Sequence, residues 1–371
     1  MQNYQHEIFI SETIREAKKA DPKKVRPNPL VGSLVVNESN EIIGRGHHEK
    51  LGGPHAEVHA IREALTKQTD LSGCTLYVSL EPCSHQGKTP PCTDLILSSG
   101  IKKVVIASMD PNPRVSGAEI LRENGVEVLH MQDEEAVELN RTFNIIQQMG
   151  RPHYLAKIAM TLDGKIADAH GNSKWLSNER SRKYVHESLR AHTDAILSTA
   201  NTVIRDDAKL NIRLEEDEEE LTAIVVDKSL SLLEANNQSL RIHYPRKKTK
   251  LILLTDKKIP SDLPEHVLCV EEMFTDKGQL NFKALNRFLI EQEIHHVLVE
   301  AGGKLCASLY EAGQMDDLIL FTVPRIMGEN IAIPAFDFAE KKSSDLDRHF
   351  VIKETQQFEH DIMTWYQAKD H

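Results

Sequence analysis

The chain has 371 residues, 40% hydrophobic and 27% charged. That length predicts two or three domains, and that balance excludes a mainly disordered, collagen-like or membrane-embedded chain. The net charge of −11 argues against non-specific nucleic-acid binding, which depends on phosphate neutralisation. The opening residues, MQNYQHEIFISETIREAKKA, lack a cationic segment followed by an apolar one, so no secretory signal is expected. Five cysteines (Cys74, Cys83, Cys92, Cys269 and Cys306) are too few and too scattered for a disulfide scaffold. A cytoplasmic location is expected, with cysteines that are buried, metal-binding or catalytic.

Apolar spacing predicts a helix over 8–19, a strand over 31–36 and a helix over 56–65. A strand over 75–80, a helix over 93–99 stopped by Gly100, and a strand over 103–107 follow. Alternating strands and helices imply an α/β layer fold. The pattern resets at 145–152, where Gly150 and Pro152 break any helix, which predicts domains of 1–148 and 149–371. The second series carries strands at 154–160, 195–197, 223–226, 251–254, 297–299 and 318–323. Six consecutive acids between Leu214 and Leu221 read as a solvated loop, because like charges repel and need water.

One constellation in the first half carries chemistry. His55-Ala56-Glu57 is followed by Pro82-Cys83 and, after eight intervening residues, Cys92. Zinc takes thiolate and imidazole ligands, and a catalytic site supplies three and keeps one position for water. His55, Cys83 and Cys92 make that set, and Glu57 is the carboxylate that would shuttle protons. Residues i and i+2 of a regular helix face away from each other, so His55 and Glu57 share a site only if the helix starts near His55. His47, His48 and His85 read as solvent or substrate contacts, since the ligand set is already complete.

This arrangement resembles the cytidine-deaminase superfamily of zinc deaminases, whose signature is HxE followed by PC and a second cysteine. Nucleoside and nucleic-acid deaminases commonly carry PCxxC, whereas the segment here is PCSHQGKTPPC. The longer loop resembles that of the bifunctional riboflavin-biosynthesis deaminase/reductases. So do Pro27-Asn28-Pro29-Leu30-Val31-Gly32, the stretch from Gly44 through His48 and Gly52 to Glu57, and Asp110-Pro111-Asn112-Pro113. The resemblance implies that Asn28 and His48 hold substrate.

In the second half, a strand at 297–299 runs into Glu300-Ala301-Gly302-Gly303 and then a helical pattern. A strand, glycine turn and helix start present backbone N–H groups to an anion. Lys157-x-Ala159-Met160-Thr161-Leu162-Asp163-Gly164-Lys165 is similar to the segment that opens the reductase half of the same family. Further similarities are Ser173-Lys174-Trp175-Leu176-Ser177, the run from His186 through Arg190 to Leu197, Thr202-Val203 with Asp206-Asp207, and Leu210 to Arg213. Ala208 departs from the family's proline, and Ser198 to Asn201 stand where a glycine-containing loop is common.

The resemblance implies two α/β domains, a cytidine-deaminase-like three-layer α/β/α unit and a dihydrofolate-reductase-like α/β unit. It implies one zinc ion and NADPH. Ala159, Trp175, Thr202, Asp206, Gly302 and Gly303 would line the cofactor site. Ser173, Arg190, Leu210, Arg213 and Glu300 would contact a pyrimidine ribosyl phosphate. Zinc would support deamination of a diaminopyrimidinone ribosyl phosphate, and NADPH would then reduce its ribosyl group to ribityl. A small-molecule substrate, no nucleic-acid or membrane partner, and a homo-oligomer (dimer or tetramer) are expected. Three other readings remain open from the residues. They are a nucleoside or nucleic-acid deaminase, an enzyme that has lost its reductase, and a zinc-stabilised binding module.

Overall fold

Short runs of Val, Ile and Leu that cannot be solvated on either face become the central strands of two sheets. The computed structural model describes residues 2–85, 90–172, 176–213, 218–237, 239–243, 246–328, 331–338 and 349–369. It divides into two units, residues 1–150 and 151–371. Among the described residues no helix is long and apolar enough to cross a membrane.

The first unit runs α1 (Gln2–Ala17), α2 (Pro22–Val25), β1 (Gly32–Val36), β2 (Ile42–His47), α3 (Ala56–Lys67), β3 (Thr75–Leu80) and α4 (Cys92–Ser98). It continues through β4 (Lys103–Ser108), α5 (Gly117–Glu123), β5 (Glu127–His130), α6 (Glu134–Leu139) and α7 (Arg141–Met149). The sheet order is β2-β1-β3-β4-β5, antiparallel through β1 and parallel from β3 to β5. Alternation sends Val35, Leu76 and Val78 to one face, where Ala60, Ile61, Ile96 and Leu121 cover them. Leu34, Val36 and Tyr77 face the other way, onto Phe9, Ile10, Ile14 and Ala136. These are three layers, α/β/α.

The second unit holds β6 (His153–Thr161), β7 (Lys165–Ala167), α8 (Glu179–Tyr184), β8 (Ala195–Thr199), α9 (Ala200–Asp206), β9 (Ile212–Arg213) and β10 (Glu218–Glu219). Next come β11 (Thr222–Val226), β12 (Leu251–Leu254), β13 (Val267–Val270), α10 (Phe282–Glu291), β14 (His296–Val299) and α11 (Gly303–Glu311). Last are β15 (Asp317–Val323), β16 (Ile333–Pro334), β17 (Phe350–Phe358) and β18 (Asp361–Ala368). Nine strands form one sheet in the order β13-β12-β11-β8-β14-β6-β15-β18-β17. All pairings from β13 to β15 are parallel, and the β17–β18 hairpin closes one edge antiparallel. From β8 the chain moves outward to β11, β12 and β13, then returns at β14 beside β8. Ligands of open parallel sheets bind outside the carboxyl ends of strands at such a reversal.

Two expectations need correction. Strands β2, β5, β13, β17 and β18 were not expected, because glycine interrupts β2 and polar residues fill the exposed face of β17. The acidic run is also not merely a solvated loop. Residues 214–217 lie outside the described residues, but Glu218 pairs with Lys209, and Glu220 accepts from the Lys247, Lys248 and Thr249 amides at 2.7–3.1 Å. Backbone donors and a lysine compensate the carboxylates there.

Candidate active sites

His55 is the N-cap of α3, with extended backbone (φ −75°, ψ 165°), and Glu57 lies in the first helical turn. The helix therefore starts where a shared site requires. Cys83 follows the end of β3, and Cys92 is the first residue of α4. His55 Nδ1 lies 3.4 Å from Cys83 Sγ and 3.3 Å from Cys92 Sγ, and the three ligand atoms all lie within 4.8 Å of one another. A tetrahedral zinc with ordinary Zn–S and Zn–N bonds separates sulfur and nitrogen by about 3.6 Å. The donor set and its spacing fit that ion. The Cys92 amide donates to Cys83 Sγ at 3.3 Å. The Cys92 and His55 hydrogen bonds hold the Cys83 thiol well below the ordinary range, so thiolate is its resting form.

Glu57 is 3% exposed. Burial, and then the neighbouring Cys83 thiolate, push its carboxyl upward. His48 Nδ1 donates to Pro54 O at 3.0 Å, which leaves Nε2 to accept from Asn28 Nδ2 at 3.1 Å. The His48 ring stands edge-on to His55, with centroids 5.3 Å apart. Burial lowers the pKa of His48, favouring its neutral form. His55, Glu57, Cys83, Cys92, His48 and Asn28 thus converge from five separate segments. His85 is exposed.

In the second unit, Arg190 grips Glu300 with both faces of its fork, Nε to Oε1 at 2.7 Å and Nη2 to Oε2 at 3.1 Å. Its Nη1 donates to Asn211 O at 2.6 Å. Burial alone would raise the Glu300 carboxyl, but Arg190 and Lys157 outweigh it and hold the pKa at about 2. The Lys157 ammonium stands 5.7 Å from the Phe321 ring centroid. Arg213 donates its backbone N–H to His186 Nδ1 at 3.0 Å and packs its guanidinium against Nε2. Burial, with Arg190 and Arg213 alongside, pushes His186 down to about 3, so it stays neutral. Leu210 is buried with φ +50°, a conformation unusual for a bulky side chain, and it precedes the residue whose carbonyl holds Arg190.

The glycine turn opens α11. Gly302 is its N-cap with no atom near the position a Cβ would take, whereas a Cβ on Gly303 would strike Pro334 O. The first backbone is open to a ligand, and the second is closed by packing. Ser198 Oγ donates to Glu300 O at 2.6 Å, tying β8 to this turn. Thr199 caps α9 and shares a 3.0 Å hydroxyl contact with Thr202. Asp206 ends α9, and Ala159 lies near the end of β6. A half-buried helix N-cap with open space beside its backbone, next to the β8/β14 reversal, fits a dinucleotide phosphate. Ser173 and Trp175 lie outside the described residues. Sequence reasoning quoted Lys157 and His186 within motifs but gave them no role, since their partners, Glu300 and Arg213, are far along the chain.

A metal-ready His-Cys-Cys site in one α/β unit, and a cluster of Arg190, Arg213 and Lys157 around Glu300 just past β14 in the other, fit a deaminase joined to a reductase. Residues 3–108 match the cytidine and deoxycytidylate deaminase zinc-binding region, and residues 152–364 match the RibD C-terminal domain. The riboflavin biosynthesis protein RibD of Aquifex aeolicus is 41% identical over 83% of this chain and 84% of its own. That of Escherichia coli is 34% identical over 88% and 89%. A solved diaminohydroxyphosphoribosylaminopyrimidine deaminase/5-amino-6-(5-phosphoribosylamino)uracil reductase from Thermotoga maritima superposes with a TM-score of 0.84, at 34% identity over all of both chains. The chain belongs to the RibD family of riboflavin-biosynthesis deaminase/reductases. The expected cytidine-deaminase-like and reductase halves are both present, and the cofactors of such an enzyme are zinc and NADPH.

Proposed function

We propose that residues 1–148 deaminate 2,5-diamino-6-ribosylamino-4(3H)-pyrimidinone 5′-phosphate to 5-amino-6-(5-phosphoribosylamino)uracil. Residues 149–371 then reduce the ribosyl group of that product to ribityl. The observation that carries this reading is the three-ligand cluster of His55, Cys83 and Cys92 with Glu57 buried on the adjoining turn. Zinc held by those ligands supplies an activated water at neutral pH. Glu57 accepts a proton at its carboxylate and delivers it towards the departing amine. Asn28 and neutral His48 orient the pyrimidine, with the His48 tautomer fixed by Pro54 O. A structural zinc site needs no such carboxylate, which favours an enzyme over a binding module.

In the reductase half, NADPH supplies the hydride, and the protein supplies orientation. Gly302, Gly303, Thr202, Asp206, Ala159 and Trp175 hold the cofactor, with Gly302 presenting open backbone to a phosphate. Ser173, Leu210, Arg190, Arg213 and Glu300 hold the substrate. Arg190 is already committed to Glu300 and Asn211, so Arg213, exposed and braced by His186, is the better-placed guanidinium for the ribose phosphate. The edge strand β17, nine residues long and mostly exposed, supports a homo-oligomer, dimer or tetramer. Five free cysteines support a cytoplasmic location.

The test is incubation of the purified protein with the diaminopyrimidinone ribosylamino phosphate, with and without NADPH, followed by mass. Exchange of an amino group for oxygen without NADPH, and gain of two hydrogens with it, is the expected result. Deamination alone would mean the reductase half has lost its reaction. No change in a zinc-loaded sample would overturn the substrate assignment.

A further inference from the structure

Glu81 is a 5% exposed carboxylate directly before the Pro82-Cys83 metal segment, and the proton transfers above do not use it. Its backbone N–H donates to Ser108 O at 2.9 Å, which continues the β3–β4 pairing past β3. Its side chain then crosses the end of β4. Oε2 accepts from the Asp110 amide at 3.3 Å, and Oε1 accepts from the Ala118 amide in the first turn of α5 at 2.8 Å. One carboxylate thus holds both ends of the loop between β4 and α5.

The neighbours of Glu81 repeat the connection. Ser84 Oγ accepts from the Ser116 amide at 3.0 Å, and Gly117 lies so close to Pro82 O that any Cβ there would collide. Within the loop, Asp110 Oδ1 accepts from the Asn112 amide at 2.8 Å and Asn112 Oδ1 from the Arg114 amide at 3.1 Å, so the loop is internally knit. Glu81, Asp110, Asn112, Ser116 and Glu119 line a groove of about 410 Å³. Ser116 and Gly117 meet Ser84 and Pro82, the two residues that flank Cys83, which sets this groove beside the metal-ligand segment.

We propose that Glu81 is a positioning residue for deamination. It clamps the Asp110–Ala118 loop to the segment bearing Cys83, and so sets how tightly the pyrimidine nucleotide is held rather than how fast the bond breaks. This rests on the substrate reading above. The carboxylate is suited to the role because it accepts at two oxygens. An amide accepts at one and turns an NH₂ towards the other donor.

The test compares wild type, Glu81→Gln and Glu81→Ala in the full-length, zinc-loaded chain. The expected result is a KM for deamination raised about tenfold in Glu81→Gln and further in Glu81→Ala, as loss of hydrogen bonds to a charged acceptor implies. The kcat, the zinc content and the NADPH-dependent reduction by the same chain stay within about twofold. Amide hydrogen exchange over 110–118 quickens in the same order. Unchanged exchange there overturns the clamp, whatever the substrate is. Quickened exchange with unchanged KM overturns its role in binding. Zinc content or both activities falling together means a general folding role and also overturns it. A wild type that does not deaminate the diaminopyrimidinone overturns the substrate reading, and the exchange result still decides the clamp.

Discussion

Glu57 shares a turn with His55 but lies outside the ligand set, so a change there leaves the three ligands in place. Glu57→Gln keeps the shape and loses the proton carrier. Deamination is expected to fall by about 10²–10⁴-fold, the usual worth of general acid–base catalysis. Zinc content and reductase rate stay unchanged, and full deamination by this variant would remove Glu57 from the mechanism. The Arg190–Glu300 pair gives a second residue-scale prediction, with a sign in pH. The Glu300 carboxyl is held at about 2 in the fold, against about 4.3 in an unfolded chain. A depressed carboxylate contributes stability that is complete above the unfolded value and is lost as pH falls through the folded one. The second unit should therefore melt lower at about pH 3 than at about pH 6, beyond any change shared with the first unit. Arg190→Met leaves a largely buried carboxylate without its partner, at a cost of about 3–5 kcal/mol. The same change removes the acid sensitivity, and calorimetry at the two pH values checks both statements.

Elements decide which of these contacts a sequence can show. The helix beginning at His55 is legible because His-x-Glu can share a site only there, and the central strands are legible from unbroken apolar runs. Strand β2 is not, because Gly44 and Gly46 interrupt its apolar pattern. Their bareness is a packing requirement, since a Cβ on either would strike the α3 carbonyls of Ala60 and Ala56. Gly46→Ala should push α3 off the sheet. A loss of about 1–3 kcal/mol in the first unit is expected, as for other overpacked sites, with weaker zinc retention because α3 carries His55 and Glu57. Denaturant unfolding and metal titration measure the two effects, and an unchanged midpoint would show that the helix can give way freely. The ligand trio and Glu57 could be found from local spacing. Glu81 could not, because its role lies in amides 29 and 37 positions away. Lys157 and His186 escaped for the same reason, as their roles depend on partners brought close only by the sheet.

Across the whole molecule, the two units bury separate apolar clusters, Val35 to Val126 with Phe9 to Ala136 in the first and Tyr154 to Met363 in the second. The metal ligands belong wholly to the first. They join segments 28 and 37 residues apart, so a bound ion ties the start of α3 to the loop between β3 and α4. Binding that needs the folded arrangement adds to its stability by mass action, about 4 kcal/mol when free ligand exceeds its dissociation constant a thousandfold. For a unit of this size each kcal/mol moves the midpoint by roughly 2–4 °C. A strong chelator should lower the melting of the first unit by roughly 8–16 °C and abolish deamination. The second unit should keep its midpoint and its NADPH-dependent reduction. NADPH should do the converse, raising the second transition alone. Scanning calorimetry with zinc, with chelator and with NADPH separates these arms, and restored zinc should return the lost transition. If either ligand moved both transitions by the same amount, the halves would melt as one cooperative body, and each activity would then depend on the other's cofactor for stability.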